Sequence, residues 1–264
     1  MNIAVLIIFF VFGIIIGSFL NVVIFRLNTG KTFGGRSQCL SCHKTLSWYE
    51  LVPVASFLLQ RGRCRSCRAR ISFQYPLIEL ASGLIFLGLF LKLQASFFYS
   101  DVLSFAAVYA FYAVMFSILL VITAYDARHK VIPDSLVIVF GILAFAGLFL
   151  FRDGFLSPHI PSFYDFLYGI LFALPFGAIW FFSKGKWMGL GDGKLALGLS
   201  WFLGPVYMFS ALALAFWTGA AVGMILVAFK KLSGLKSEVP FAPFLALGAI
   251  LAFFFQLNFF GAAF

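Results

Sequence analysis

The chain has 264 residues, of which 63% are hydrophobic and only 11% are charged, and its formal net charge is +10. A soluble globular domain is roughly 45–50% apolar and about 25% charged, so this composition excludes that class. We predict an all-α polytopic membrane protein. Because the sequence contains no nucleic-acid-binding module, we attribute the positive charge to contact with the anionic lipid of the bilayer rather than to nucleic acid.

Eight apolar runs approach the length of a transmembrane helix, which needs about 17–25 residues. They cover about residues 3–25, 77–98, 102–124, 135–152, 163–182, 195–209, 211–229 and 241–258, and the sixth and seventh meet near Pro205. The first run lacks a basic segment before it and an Ala-x-Ala site after it, so we expect a retained helix rather than a cleaved signal peptide. Three parts follow: a first transmembrane helix (1–25), a cytoplasmic loop domain (26–76) and a seven-helix transmembrane core (77–264).

The basic residues are divided unequally between the two sides that eight spans define. Of the 19 Lys and Arg residues, all but Lys92 and Arg152 lie in loops on one side. Cytoplasmic loops carry the excess of Lys and Arg in membrane proteins. We therefore expect the loop domain to face the cytoplasm and both termini to lie outside.

The loop domain contains all four cysteines as two CxxC pairs, which are Cys39 with Cys42 and Cys64 with Cys67. Two such pairs are typical of a zinc ion held by four thiolates, although the 21 residues between them slightly exceed the usual spacing. Cytoplasmic thiols stay reduced, which disfavours disulfides, and a short loop needs a metal to fold. We predict structural zinc, with free or redox-active thiols as the alternative. Catalytic zinc is disfavoured because four thiolates leave no open coordination position.

Two polar residues lie just inside the ends of the first two spans. Asn21 is predicted to hydrogen-bond to a neighbouring helix in preference to a direct catalytic role. Glu79 leaves more alternatives open. Its carboxylate either lies at the membrane interface or pairs with a loop arginine, or it faces the site and contacts the amine of a substrate or a cofactor.

Two acids lie beside apolar runs on the predicted cytoplasmic side. Asp126 follows the third run, and Asp192 precedes the sixth. An ionised carboxylate at a helix centre in a bilayer costs roughly 2.5–3.5 kcal/mol, so acids near such runs indicate function. Asp126 ends a helix, where the helix dipole disfavours an anion, whereas Asp134 is explained by its place at a helix start. Two carboxylates on one membrane face predict a two-aspartate protease.

The residues around Asp192 support this prediction. Gly189 and Gly191 have no side chains, so we expect them to let a substrate backbone approach closely. Lys194 either stabilises the Asp192 carboxylate or faces lipid headgroups.

Several motifs occur in one order along almost the whole chain. They are Gly17-Ser18-Phe19-Leu20-Asn21-Val22 with Arg26-Leu27, the two CxxC pairs, Arg61-Gly62-Arg63-Cys64-Arg65-Ser66-Cys67, Tyr75-Pro76-Leu77-Ile78-Glu79, Asp126-x6-Pro133-Asp134, Gly189-x-Gly191-Asp192-x-Lys194 and Pro240–Gly248. This set resembles the type IV prepilin peptidases, which are bifunctional leader peptidases and N-methyltransferases of the GxGD aspartic protease group. The chain departs from the family pattern at Asn28, where proline is usual, and at Ala242, where glycine is usual.

The resemblance implies an enzyme of the bacterial inner membrane that cleaves prepilins and pseudopilins at the cytoplasmic face. The bond cleaved would follow a glycine that ends a short basic leader, ahead of an apolar helix. Asp126 and Asp192 would be the catalytic pair. The resemblance further implies methylation of the new N-terminal residue by S-adenosylmethionine. Because no glycine-rich nucleotide loop follows a strand, the sequence assigns no residue to that cofactor.

The chemistry of an acid pair follows from electrostatics. Two nearby carboxylates share a proton, so one acts as a general base on water and the other donates a proton to the carbonyl or the leaving amine. The alternatives are a peptidase without methylation and a non-enzymatic transporter or assembly scaffold with a zinc-ribbon loop. Proton relays place acids along a path through the membrane midplane, whereas both acids here lie near one face, which favours the enzyme.

Overall fold

The computed structural model describes residues 2–30, 32, 34–97, 102–152, 155–229 and 239–259. Its architecture is all-α, as predicted. The helices are α1 (Ile3–Arg26), α2 (Ala55–Leu59), α3 (Gln74–Phe97), α4 (Val102–His129), α5 (Asp134–Leu150), α6 (Phe163–Ser183), α7 (Leu190–Ala228) and α8 (Ala242–Phe255), with a short 3₁₀ helix at Trp48–Glu50. A small antiparallel hairpin, Phe151–Arg152 with Phe155–Leu156, joins α5 to α6. The predicted basic loop with Lys230, Lys231 and Lys236 lies outside the described residues.

Five of the described helices are long and apolar enough to cross a bilayer. They are Ile3–Arg26, Gln74–Gln94, Val102–His129, Phe163–Ser183 and Leu190–Ala228, while α5 and α8 are apolar but shorter. Since α7 consists of two helical parts, each of the eight predicted runs corresponds to one helix or to one part of α7. The chain is a multi-pass membrane protein.

The break in α7 lies at Gly204, which has φ 76° and ψ 169°. Glycine adopts such a conformation without a steric penalty, and Pro205 immediately after it removes a backbone donor and restricts the residue before it. The two parts therefore cover residues 190–203 and 205–228. The break is close to Pro205, as expected, but the predicted runs 195–209 and 211–229 placed it several residues too late.

The chain divides into two compact units, Met1–Lys92 and Leu93–Phe264. The first unit contains α1, the cysteine loop and most of α3, and the second contains the helices from α4 onward. The predicted division into residues 1–25, 26–76 and 77–264 stays a prediction.

In the first unit, α1 packs against α3 with almost no space between the two backbones. A Cβ atom at Gly17 would lie 2.7 Å from the Cα of Glu79, and one at Gly13 would lie 2.6 Å from the Cβ of Phe86. Asn21 donates from Nδ2 to the carbonyl of Tyr75 at 3.1 Å. Small residues let membrane helices approach, and Asn21 makes the hydrogen bond to a neighbouring helix that the sequence predicts.

In the second unit, the first part of α7 lies in the centre. Leu195 and Leu199 of α7 are fully buried, as are Phe116 of α4, Phe140 of α5 and Leu245 of α8. The contact between α7 and α8 is closest at Gly248, where an added Cβ would overlap the carbonyl of Ala211. This close contact holds the middle of α8 against the second part of α7.

We expect Gly248→Ala to destabilise the second unit, because the new methyl group would force α8 away from the backbone of α7. Overpacking of this kind costs about 1–3 kcal/mol. Thermal unfolding of the purified protein in detergent measures the effect. Gly223→Ala is the matched control, since a Cβ there meets nothing within 4 Å. Equal melting temperatures for the two variants would contradict the packing described here.

Candidate active site and metal centre

Asp126 lies in the last turn of α4 and is 4% exposed. Its Oδ2 accepts a hydrogen bond from the backbone N–H of Ala242 at 3.3 Å. Ala242 is the first residue of α8, so the positive end of that helix points at the carboxylate. The start of α8 thereby offsets the unfavourable position of Asp126 at the end of α4.

Asp192 is the third residue of α7, and Gly189 is the N-cap of that helix. Asp192 is 8% exposed, and its carboxylate interacts with the backbone N–H of Gly189. This is the position from which an acid commonly bonds back to the N-cap amide. The other oxygen, Oδ1, is buried and has no hydrogen-bond partner in the part of the chain that is described.

The structure brings the two acids together. The carboxyl groups of Asp126 and Asp192 are both buried and lie close enough together to interact electrostatically. Each is also held by a backbone amide at the start of a helix. This arrangement gives a pair of interacting carboxylates, one oxygen of which is buried and accepts no hydrogen bond from the described residues.

Packing explains why residue 191 is a glycine, in addition to the expected close approach of a substrate backbone. A Cβ there would lie 2.9 Å from the Cβ of Ile132, in the connection between α4 and α5. Gly191 thus lets the segment that follows Asp126 pack directly on the start of α7. A Cβ at Gly189 would meet only the Asp192 carboxylate, at an ordinary 3.6 Å. The close approach of a substrate to Gly189 and Gly191 stays a prediction.

Lys194 pairs with a residue that the sequence did not suggest. Its Nζ lies 2.7 Å from Oδ1 of Asp134, the first residue of α5. The side chain of Lys194 is partly exposed and that of Asp134 is largely exposed, and ion pairs at the surface contribute about 0–1 kcal/mol. Lys194 therefore links α7 to α5 near the acid pair, and its expected support of the Asp192 carboxylate stays a prediction.

One contributor to the site was missed at the sequence level, namely the backbone N–H of Ala242. Proline within the first turn of a helix marks a helix start, and Pro243 provides that signal here. The alanine in place of the usual glycine is fully buried and still donates to Asp126. This departure from the family pattern is accommodated.

Glu79 occupies a defined position in the first unit. It is buried, and its Oε2 accepts from the backbone N–H of Val54 at 2.7 Å, while Ser18 donates to the same carboxylate. Val54 has φ 60°, a conformation that β-branched residues rarely adopt. Glu79 therefore ties a strained turn of the cysteine loop to α3 through a backbone amide rather than through a loop arginine. Its contact with a substrate amine or a cofactor stays a prediction.

The four cysteines form one cluster. Their Sγ atoms all lie within 4.8 Å of one another, and those of Cys39 and Cys67 are 3.8 Å apart. Thiolates held tetrahedrally at about 2.3 Å from zinc are separated by about 3.8 Å. The cluster has the donor set and the size to hold a metal ion.

Both CxxC pairs are built in the same way. The N–H of His43 donates to the carbonyl of Cys39 at 3.0 Å, and the N–H of Arg68 donates to that of Cys64 at 2.9 Å. His43 and Arg68 each follow the second cysteine of a pair, and each has a positive φ, 56° and 60°. Two equivalent turns therefore present two thiols each to a common centre.

The thiols of this cluster titrate unequally. Backbone N–H groups, first that of Cys42, lower the pKa of Cys39 to about 6. The Ala69 amide lowers the pKa of Cys67, but desolvation and the three neighbouring thiols outweigh it and raise this pKa to about 11. The groups that lower the pKa of Cys39 most are therefore backbone amides of its own CxxC turn. A divalent cation would relieve the repulsion between the sulfurs.

An all-α chain with several membrane-length helices, a cluster of four thiols and two buried interacting acids belongs to the class of polytopic membrane enzymes. Two family models match it. The Bacterial Peptidase A24 N-terminal domain matches residues 11–93, and the Type IV leader peptidase family matches residues 113–224. The chain therefore belongs to the type IV leader peptidase family.

Curated relatives agree with this membership. A prepilin leader peptidase/N-methyltransferase from Bacillus subtilis is 31% identical and covers 94% of this chain and 93% of the relative. One from Burkholderia pseudomallei is 32% identical over 95% of this chain and 85% of the relative. One from Myxococcus xanthus is 31% identical over 87% of this chain and 65% of the relative. No solved structure matches the chain.

We expect Glu79→Ala to loosen the cysteine loop, because the half-buried amide of Val54 would lose its charged acceptor. Such a hydrogen bond contributes about 1.5–3 kcal/mol. Limited trypsin digestion measures the effect through the rate of cleavage after Arg61, which follows α2. Glu79→Gln is the matched control, since its side-chain oxygen can still accept from Val54. Equal digestion of the alanine and glutamine variants would show that the hydrogen bond does not hold the loop.

Removal of one thiol is expected to abolish metal binding. Cys64→Ser should reduce bound metal from about one zinc ion per chain to near zero, because structural sites use all four ligands. Metal analysis of the purified protein measures this ratio. Ser41→Ala, within the first CxxC turn, should retain the metal. Retention of metal by Cys64→Ser would argue against a four-thiolate site.

Proposed function

We propose that the chain is an aspartic endopeptidase that removes the leader from type IV prepilins and pseudopilins by means of Asp126 and Asp192. The observation that carries this proposal is the pair of buried, interacting carboxylates in a member of the leader peptidase family. The relatives are named for prepilin processing, which supports the substrate class. Membership of this family removes the support for a transporter or scaffold.

The acid pair suits hydrolysis of a peptide bond. One carboxylate removes a proton from water while the water oxygen attacks the scissile carbonyl carbon, and the protonated partner donates a proton to the carbonyl oxygen. As the C–N bond breaks, the carboxyl that took the proton from water gives it to the leaving amine, and the other carboxylate takes back the proton from the hydroxyl of the intermediate as the carbonyl re-forms. Oδ1 of Asp192 has no partner among the described residues, so it is suited to bind the attacking water. We assign the general base to Asp192 on this ground.

We place this chemistry at the cytoplasmic face of the bacterial inner membrane. Asp126 and Asp192 lie at the ends of α4 and α7 that border predicted basic loops, and such loops face the cytoplasm. The cysteine loop lies on the same predicted side, and both termini are outside. This face is where a leader that carries basic residues is retained.

We infer that the metal of the thiol cluster is zinc, held by Cys39, Cys42, Cys64 and Cys67. The four sulfurs fit its tetrahedral geometry. When bound, zinc would join the two CxxC turns and stabilise a loop that has little apolar core of its own. Its role is structural, because four thiolates leave no position for substrate.

Methylation of the new N-terminal residue with S-adenosylmethionine is the second proposed activity. The names of the relatives support it, since they include N-methyltransferase. The described residues contain no parallel sheet and no glycine-rich loop after a strand, so they do not fit the usual dinucleotide-type fold. No side chain is assigned to the methyl donor, and no step is derived through it.

Asp126→Asn and Asp192→Asn are each expected to reduce prepilin cleavage by about 10²–10⁴-fold, because each removes a proton-transfer group of the pair. Cleavage of a prepilin by the purified protein in detergent measures the rate. Asp165→Asn is the control, since Asp165 is an exposed acid that caps α6 and its amide analogue can still accept the cap hydrogen bonds.

The comparison is informative only when all three variants melt at the temperature of the unchanged protein. Full cleavage by either Asp126→Asn or Asp192→Asn would rule out the two-acid mechanism. Loss of cleavage in Asp165→Asn as well would show that the assay reports folding rather than chemistry.

A further inference from the structure

The longest uncharged stretch of the cysteine loop lies between its two CxxC pairs. It covers residues 51–60, includes α2 and contains no acidic or basic side chain. We call these ten residues the apolar segment. Leu58 and Leu59, at the end of α2, are 67% and 84% exposed. Exposed groups of large apolar side chains in proteins mark surfaces that bind another molecule or a membrane. The apolar segment is therefore a candidate for such a surface.

The apolar segment lies beside the start of a membrane-length helix. The N–H of Val54 donates to Oε2 of Glu79 at 2.7 Å, and the ring centroids of Phe57 and Phe73 are 6.0 Å apart. Glu79 lies in the second turn of α3, about 7.5 Å along the helix from Gln74. The polar region on each side of the hydrocarbon core of a bilayer is about 5–8 Å thick. These contacts hold the apolar segment at the level of the lipid headgroups.

The backbone of the apolar segment is hydrogen-bonded in a way that suits this depth. The N–H of Ser56 donates to the carbonyl of Val52 at 2.9 Å, that of Leu58 to Val54 at 3.1 Å and that of Gln60 to Ser56 at 3.0 Å. Val54 itself donates to the Glu79 carboxylate. An unpaired backbone donor is costly where water is scarce. With these donors paired inside the first unit, the apolar side chains can contact lipid at little cost to the main chain.

The residues that flank the apolar segment carry the charge and the aromatic side chain expected at a membrane surface. Glu50 is the only acid between Arg26 and Phe73 in the sequence, and it is buried, where it accepts from the backbone N–H of Ser47 at 2.9 Å. Trp48 is 80% exposed, and tryptophan is enriched at membrane interfaces. Five exposed arginines follow the segment, namely Arg61, Arg63, Arg65, Arg68 and Arg70. Basic clusters next to a membrane helix attract anionic lipid.

We propose that the apolar segment is an interfacial anchor, in which Leu58 and Leu59 insert into the leaflet at the start of α3 and the arginines bind the phosphates of anionic lipid. The anchor does not depend on the peptidase function. Two observations favour lipid over a peptide as the partner. The hydrogen bond from Val54 to Glu79 sets the depth of the segment, and the surrounding positive charge repels a basic peptide such as a leader.

Photocrosslinking of the full-length protein in lipid nanodiscs identifies what the apolar segment contacts. Leu58 is replaced by p-benzoylphenylalanine, and the nanodiscs contain phosphatidylcholine and phosphatidylglycerol in equal amounts. Mass spectrometry then identifies the adducts, and we expect lipid adducts from position 58. Leu40, in the first CxxC turn, is the matched control because it is 66% exposed, compared with 67% for Leu58. Lipid adducts should be lost when the photoreactive group is at position 40.

The identity of the crosslinked lipid tests the role of the arginines. We expect phosphatidylglycerol to be enriched over phosphatidylcholine among the adducts from position 58. Arg61→Gln should lower this enrichment by about five-fold, the factor that one basic residue gives near an anionic surface. Arg36→Gln is the matched control, since Arg36 is also exposed but precedes the first CxxC pair, and it should leave the enrichment unchanged.

Equal lipid adducts from positions 58 and 40, or adducts from position 58 to protein alone, would overturn the anchor. If the variant at position 58 melts below the parent protein, Leu59 is replaced in its place, and the same outcomes decide. Equal amounts of the two lipids among the adducts, or equal effects of Arg61→Gln and Arg36→Gln, would overturn the role of the arginines. Because no outcome is read from cleavage, failure of the peptidase assignment would leave these results unchanged.

Discussion

The constraint on which the second unit depends is the burial of two carboxylates beside each other. Two like charges removed from water are costly unless hydrogen-bond donors and favourable dipoles offset the cost. Here the donors are backbone amides at the starts of two helices, Ala242 for Asp126 and Gly189 for Asp192. The acids are therefore stable only while the end of α4 and the starts of α7 and α8 remain in one place. The close contacts of Gly191 with Ile132 and of Gly248 with Ala211 serve this requirement.

In the first unit, too, a backbone amide offsets the cost of burying a carboxylate. Glu79 is buried against Val54 and Ser18, and the acid is compensated without a cationic partner. In both units a buried acid accepts hydrogen bonds from backbone amides and so fixes the position of a neighbouring chain segment. Electrostatics and chain geometry are thus coupled at each of these positions, and substitution of the acid affects both.

Much of this architecture could be predicted from the sequence. Long apolar runs indicate membrane helices, and the order of the motifs along the chain indicates the family. The acids, the thiol cluster and the hydrogen bond of Asn21 to a neighbouring helix are of this kind. The position of the break in α7 was predicted less well, since hydropathy continues unbroken through Gly204 and only the local backbone preference of Gly-Pro decides it. The partners of Lys194 and Glu79 could not be predicted. The partner of Lys194, Asp134, is 60 residues away in sequence. The partner of Glu79 is the backbone amide of Val54, whose φ of 60° is unfavourable for a β-branched residue.

The bond between Glu79 and Val54 also changes how the cysteine loop closes. Val54 lies in the segment between the two CxxC pairs. Its hydrogen bond to Glu79 therefore divides one long loop into two shorter loops. The entropy lost on closing a flexible loop grows with the logarithm of its length. Because the middle of this segment is already fixed on α3, the loop would lose less conformational entropy when the four thiols bind a metal ion. With the proposed zinc ion bound, α3 would contribute to the metal affinity without contacting the metal, and the metal would help to hold Val54 at its positive φ.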